Sequence, residues 1–356
     1  MDLRSARILI LKPSSLGDII HTLPLVHCLK RTWPGCHIGW VVQEAFARML
    51  ENDPAVDSVH QISIPSTSDP RSGRLAIIQA AGQTRRTVSH LRQVFQRNPY
   101  DLVLDLHASF RSGLLGRANP GGERFGFAGA RELNTLFQDH LIFVPPQTVH
   151  ALDKNLLFCG QLGCSVTGED FFLRGGDAAE RRINSLLAGY GVTSEDKIVY
   201  IHATARWKSK FWFPERWAQL ADRLIETEKV KVLFGGGGGD RDYVSAIEAK
   251  MTKTPIVTAG RCTLAEAASL IGRCAVYVGL DSGPMHMAAM AGVPVVVLFG
   301  PTHPERVGPY GVDHVIVKAG NLDCLACRKR SCGKMICMDR IPVDMVYDAT
   351  LRFLKR

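Results

Sequence analysis

Short apolar runs recur along this chain, each followed by a polar or glycine-rich corner and then by a stretch with helical spacing. Arg7-Ile-Leu-Ile-Leu-Lys12 reads as a buried strand, Pro13 to Asp18 as a turn, and Ile19 to Lys30 as a helix that Pro24 bends. The same rhythm predicts strands at His37 to Val42, Val56 to Ile62 and Tyr100 to Leu106, with helices at Ala45 to Glu51 and Arg85 to Arg97. A polar helical region, Val149 to Glu195, separates this series from a second one. That second series has strands at Lys197 to His202, from Lys231, at Ala275 to Leu280 and at Val293 to Phe299, with helices at Glu215 to Lys229 and Leu264 to Gly272. Strands alternating with helices predict an α/β fold whose parallel sheets are covered on both faces. The size prior expects about two domains in 356 residues. We place them at 1–180 and 190–340, followed by a terminal helical segment, 341–356.

Charge changes this picture locally. The net charge is +9, and most of it lies between Arg71 and Arg131, where ten arginines face only Asp101, Asp105 and Glu123. A patch of this kind suits an anionic partner, namely a phosphorylated or carboxylated substrate, an acidic membrane surface or nucleic acid. Solvated helix faces would explain it equally well. No apolar run reaches the length of a membrane span, and the opening residues are too short and too charged for a signal peptide, so a cytosolic protein is expected. Ten cysteines in that setting read as thiols or metal ligands rather than disulfides.

The corners carry the candidate chemistry. After the strand ending at Leu280, Asp281, Ser282 and Gly283 precede Pro284, which tolerates the first helical position because its missing N–H is not needed there. The free N–H groups and positive end of that helix favour a phosphate, and His286 lies in the same turn. An ordinary capped connection with a core-facing histidine is the competing reading. Gly235 to Gly239 lets a ligand approach bare backbone, or else is a flexible loop. The first corner lacks a dinucleotide fingerprint and presents Asp18, which could equally cap the helix behind it. Cys324, Cys327, Cys332 and Cys337 have C-x2-C-x4-C-x4-C spacing, which can hold zinc or an iron–sulfur cluster, although disulfides or plain thiols fit too.

Four motifs in order give a resemblance: Lys12 to Pro24, Arg206 to Pro214, Gly279 to Ala289 and Phe299 to Thr302. Across nearly its whole length the chain resembles the lipopolysaccharide heptosyltransferases, the nucleotide-sugar glycosyltransferases of family 9. The Cys cluster followed by Met338 and Ile341 is similar to one branch of them. The resemblance implies a GT-B fold, two Rossmann-like domains facing a central cleft, with the last helix returning to the first domain. It implies an ADP-heptose donor on the second domain and an anionic acceptor, the Kdo or heptose region of lipopolysaccharide core, on the first. An inverting transfer without a catalytic metal follows, performed in the cytoplasm peripherally at the inner membrane. Asp18 would be the general base, with Ser15, Gly17, Arg85 and Arg86 toward the acceptor. Thr204, Lys210, Asp281, Ser282, Gly283 and His286 would hold the donor, and Asp240 or Asp242 the ribose. Lys210 is preferred to Lys208 because it directly precedes Phe211-Trp-Phe-Pro214.

Two other functions compete. One is a GT-B enzyme acting on another nucleotide sugar or acceptor, including an epimerase of the same fold, though the Ser14-Ser-Leu-Gly-Asp18 loop fits transferases better. The other is a nucleic-acid-binding module using the basic patch and the cysteines. That module needs aromatics interleaved with arginine for stacking. Phe95, Tyr100, Phe110, Phe125 and Phe127 are the ones present, mostly at core-like spacing, so no nucleic-acid partner is expected.

Overall fold

A computed structural model describes residues 2–65 and 74–355, with side chains from Ile78 onward in the second stretch. Arg71, part of the basic run, lies outside the described residues, as does the side chain of Arg74. The chain divides into two compact units, Met1–Asp170 and Phe171–Arg356.

The first unit is built on β1 (Arg7–Leu11), β2 (His37–Gln43), β3 (Ser58–Ile62), β4 (Leu102–Asp105), β5 (Glu123–Phe127) and β6 (His140–Ile142). They form one parallel sheet in the order β3-β2-β1-β4-β5-β6. The second unit repeats the scheme with β7 (Ile198–His202), β8 (Lys231–Phe234), β9 (Ile256–Val257), β10 (Val276–Leu280), β11 (Val295–Phe299) and β12 (His314–Lys318). Its order is β12-β11-β10-β7-β8-β9, again parallel throughout. Each is a Rossmann-type order, and each reverses direction at one place, between β1 and β4 and between β7 and β10. Ligands in such sheets sit beyond the carboxyl ends of those central strands. The central strands are apolar without alternation because helices cover both faces. Leu9, Leu11, Val41 and Val103 pack with Phe95 and Leu115 in the first unit, and Val199, Ile201, Val278 and Val296 pack with Trp212 and Trp217 in the second.

Three expectations are corrected. Ile19 to Lys30 is not one bent helix: Leu16–Ile20 ends at His21, and Leu23–Thr32 starts with Pro24 in its first turn, where proline fits without bending anything. The domain boundary falls at Asp170, not near 180. Asp170 is tied to the first unit by Arg31 at 2.8 Å and by its carbonyl to His27, whereas the Asp177–Gly189 helix pairs with the Leu264–Gly272 helix through Arg273 and Glu180. The terminal helix, Val343–Leu354, belongs to the second unit. Its Val346, Tyr347 and Phe353 join that core, Asp344 pairs with Arg223 at 2.6 Å, and Tyr347 bonds Thr227.

Candidate active site

Each reversal point carries a cluster of polar side chains. In the first unit, β1 runs into Lys12 and a loop whose Ser14–Ser15 peptide is cis, and β4 runs into Asp105 and His107. Lys12 is buried; it donates to the Leu106 carbonyl at 2.5 Å and lies 3.9 Å from Asp18 Oδ1. Asp18 is the third residue of the Leu16–Ile20 helix, and its Oδ2 accepts the Ser15 N–H at 2.9 Å and the Ser15 hydroxyl at 2.6 Å. This is a capping box, so the capping reading of Asp18 holds. It leaves Oδ1 facing Lys12, on a carboxylate still part-exposed. Partial desolvation pulls the Asp18 pKa upward, but the Lys12 charge, the two Ser15 bonds and His107 outweigh it, and Asp18 stays below its ordinary value. His107 is pushed down by burial and by Lys12. Asp105 holds the loop beneath it, accepting from the N–H groups of His107 and Ala108 at 3.0 Å, from Ser112 at 2.8 Å and from Asn134 at 2.7 Å.

Ser15 and Gly17 therefore share the Asp18 corner, with the Ser15 hydroxyl committed to Asp18. Arg85, Arg86 and Arg92 lie elsewhere, on the solvent face of the Arg74–Arg97 helix, whose other face buries Thr84, Leu91 and Phe95. Of the aromatics in this basic region, Phe95, Tyr100 and Phe125 are buried and Phe110 is exposed. Three of the five are thus closed to base stacking.

In the second unit the charges are reversed. Lys210 ends the single turn Lys208–Lys210; its ammonium donates to Asp281 Oδ2 at 2.7 Å and to the Asp281 carbonyl at 3.0 Å, and lies 4.8 Å from the centre of the Trp207 ring. Lys208 is exposed. Ser282 is the N-cap residue of the Gly283–Met290 helix, yet its hydroxyl turns back to the Leu280 carbonyl at 3.2 Å and makes no cap bond. The side chain leaves the helix start open to an anion, and Pro284 stands in the first turn as expected. His286 is buried on the same helix. At the neighbouring strand tip, Thr204 is buried, with its hydroxyl 3.3 Å from His202 Nε2.

Asp240 binds its own loop, accepting the Gly237 N–H at 2.7 Å, and Asp242 is exposed on the next helix. The five glycines divide by role. A side chain at Gly235 would collide with the Tyr200 hydroxyl, and Gly236 has φ +157°, whereas Gly238 and Gly239 border open space. Only the last two fit backbone presented to a ligand.

Three residues escaped the sequence reading. His202 is buried with Nδ1 unpartnered, and burial pushes its pKa down to about 4, so it is neutral. Its position as the last residue of a central strand was the available signal. Trp207 and Arg330 stack, with the guanidinium 5.6 Å from the ring centre. The 326–330 loop reaches the site because Ser209 donates to the Lys329 carbonyl at 2.6 Å and Arg328 N–H to Pro301 at 2.7 Å. No local spacing reveals such a return.

The four clustered cysteines lie in the same region. Cys324, Cys327, Cys332 and Cys337 are all free, and no three of their sulfurs come within 4.8 Å of one another. Cys324 and Cys327 point to solvent, while Cys337 packs beneath Gly300, where burial pushes its thiol up.

Residues 88–336 match the profile of glycosyltransferase family 9 (heptosyltransferase). The chain is 28% identical to lipopolysaccharide heptosyltransferase 1 of Pseudomonas aeruginosa over 92% of its own length and 87% of that protein's. Its fold is similar to that of a family 9 glycosyl transferase from Veillonella parvula, with TM-score 0.81 and 24% identity over 100% of this chain and 99% of that one. It is also similar to the E. coli heptosyltransferase WaaC solved with ADP, with TM-score 0.74 and 23% identity over 97% and 99% of the two chains.

Proposed function

The chain belongs to glycosyltransferase family 9, the heptosyltransferases, and on that premise we propose that it moves heptose from ADP-heptose to the inner core of lipopolysaccharide, at a Kdo or heptose residue. The observation that carries the donor assignment is the pairing of Lys210 with Asp281 at the mouth of a helix start that its own side chains leave open. A diphosphate needs fixed positive charge and backbone donors, and this corner offers both. Thr204 and Ser282 add hydroxyls, and Gly238 and Gly239 leave backbone open near Asp240 and the ribose.

In this reading the acceptor hydroxyl attacks the anomeric carbon from the face opposite the diphosphate, so the transfer inverts. Asp18 takes the hydroxyl proton, the bond from the anomeric carbon to the phosphate oxygen breaks, and its electron pair leaves with ADP. Lys12 keeps Asp18 ionised and ready to accept that proton. Lys210 and the Gly283–Met290 helix start balance the charge gathering on the departing diphosphate, so the scheme calls for no metal. Ser15 and Gly17 border the base and would meet the acceptor.

In this reading the acceptor is anionic, and the transfer takes place in the cytoplasm, peripherally at the inner membrane. Among the described residues no helix is long and apolar enough to cross a membrane. Arg85, Arg86 and Arg92, exposed on one helix, would meet the anionic surface. Reversing those three charges should raise the acceptor KM and flatten its salt dependence; unchanged values refute that role.

A donor screen tests the function. Incubation with ADP-heptose, UDP-glucose or GDP-mannose and truncated core acceptors should release nucleotide from ADP-heptose alone. Turnover of a different donor would replace this reading.

A further inference from the structure

A second group of cysteines lies in the first unit and has no role assigned above. Cys28 is on the Leu23–Thr32 helix, Cys159 is near the end of the Ala151–Leu162 helix, and Cys164 follows directly after it. Gly163, in a left-handed conformation at φ +82°, turns the chain so that the Cys164 N–H reaches the Cys159 carbonyl at 3.0 Å and its thiol reaches the same oxygen at 3.6 Å. The three sulfurs all lie within 4.8 Å of one another, and all three residues are buried. Among the described residues they form the one set of three potential ligand groups drawn this close together.

The surroundings favour negative charge on sulfur. Arg31 Nη2 lies 3.9 Å from Cys28 Sγ, and the same guanidinium is fixed by Asp170 at 2.9 and 2.8 Å and by the Ser165 carbonyl at 2.8 Å. The Thr32 hydroxyl lies 4.0 Å from the same sulfur.

We propose that Cys28, Cys159 and Cys164 form an all-sulfur, three-coordinate binding site for a thiophilic d10 cation such as Cu+ or Zn2+. Three soft ligands with no carboxylate or imidazole among them select against magnesium and calcium and for these ions. Binding makes three metal–sulfur bonds and releases the protons of the thiols that become ligands to solvent, with no change of oxidation state. The trigonal set suits Cu+ better than Zn2+, which prefers a fourth ligand.

The position gives the site a consequence. Asn155, one turn before Cys159, donates to the His21 carbonyl at 3.1 Å and to the Thr22 hydroxyl at 3.2 Å, and that hydroxyl donates to the Asp18 carbonyl at 2.9 Å. A cation joining Cys28 to Cys159 therefore fastens together the two helices that back the Asp18 corner.

The test uses the full chain with Cys324, Cys327, Cys332 and Cys337 replaced by Ser, which removes the other clustered thiols. Anaerobic loading with Cu+, and separately with Zn2+, followed by gel filtration should leave about one equivalent of metal per chain. X-ray absorption at the metal edge should show a shell of three sulfurs, and the melting temperature should rise. Adding Cys28→Ser or Cys164→Ser should remove the bound metal and the rise, with circular dichroism confirming the fold. Absence of stoichiometric metal in the four-serine chain, a first shell without three sulfurs, or retention of metal by folded Cys28→Ser overturns the proposal. The sulfur count comes from the unsubstituted trio, so it stands even if the trio variants fail to fold.

Discussion

The two reversal points share one topology and carry opposite electrostatics. At the β1/β4 tip a carboxylate, Asp18, is presented with Lys12 behind it. At the β7/β10 tip a cation, Lys210, is presented with Asp281 behind it. The helix starts differ in the same sense. Asp18 folds back to cap its own helix through Ser15, which fills the place an anion would take. Ser282 turns its hydroxyl away and leaves its helix start open. The sheet order fixes where a ligand sits, but the residues in the first helical turn decide its sign. On the proposed reading, a proton acceptor and an anion site are built on one architecture by exchanging a few side chains.

Removing the presented charges breaks the comparison most severely. Asp18→Asn keeps the shape and loses the base, so kcat should fall by roughly 10²–10⁴-fold while calorimetric affinity for ADP is unchanged. Joint loss of turnover and ADP binding would make Asp18 merely structural. Because Lys12 and Ser15 hold Asp18 below its ordinary value, the acid limb of kcat/KM should lie below that of an unperturbed carboxylate. Lys210→Met should weaken ADP binding by about 10–100-fold, the worth of one charge-assisted contact. It also strands Asp281, a buried carboxylate, so stability should drop by about 3–5 kcal/mol. Lys210→Met with Asp281→Asn should recover most of the stability and none of the binding. Recovery of both would assign the pair to folding alone.

How much of this contrast the sequence displays depends on how local each feature is. Both sheets, the presented Asp18 and the open corner at Asp281 to Gly283 were readable, because strand apolarity, helix-start residues and turn glycines are properties of neighbours in sequence. Lys210 was separable from Lys208 by motif position, and its bond to Asp281 makes the reason physical. The stacking of Arg330 on Trp207 was not readable, since it depends on a loop returning across more than a hundred residues. The cysteines show the same limit in reverse. Close spacing drew attention to Cys324 to Cys337, whereas Cys28 meets Cys159 and Cys164 from more than a hundred residues away, which no local spacing shows. The short strands β6 and β12 were also missed, because each is an edge strand with little burial to pattern it.

A subtler substitution converts one corner toward the other. Ser282→Asp places at the second helix start the kind of carboxylate that closes the first. A self-capping aspartate should stabilise the helix by about 0.5–1 kcal/mol. If the diphosphate binds there as proposed, the carboxylate should also occupy those N–H groups and repel it, lowering ADP affinity by roughly tenfold, about 1.4 kcal/mol. A stability gain with undiminished ADP binding would show that the open helix start is not where the diphosphate sits.

The smallest effect concerns the neutral histidine beside that corner. Burial depresses the His202 pKa to about 4, against an ordinary value of 6.5. A depressed folded-state pKa contributes stability that is fully present above 6.5 and is lost as pH falls toward 4, because the unfolded chain takes up the proton first. Between pH 7 and 5.5 this amounts to about 1 kcal/mol. His60 in the first unit is likewise depressed to about 4, by burial and by the charges of His37, Arg7 and His90, and it supplies a similar slope unaffected by changes at His202. Urea unfolding followed by tryptophan fluorescence at the two pH values should therefore show His202→Gln losing about 1 kcal/mol less than the unsubstituted chain. Equal losses would mean that His202 is protonated in the folded protein, and a cationic His202 beside Thr204 would then join Lys210 in attracting the diphosphate.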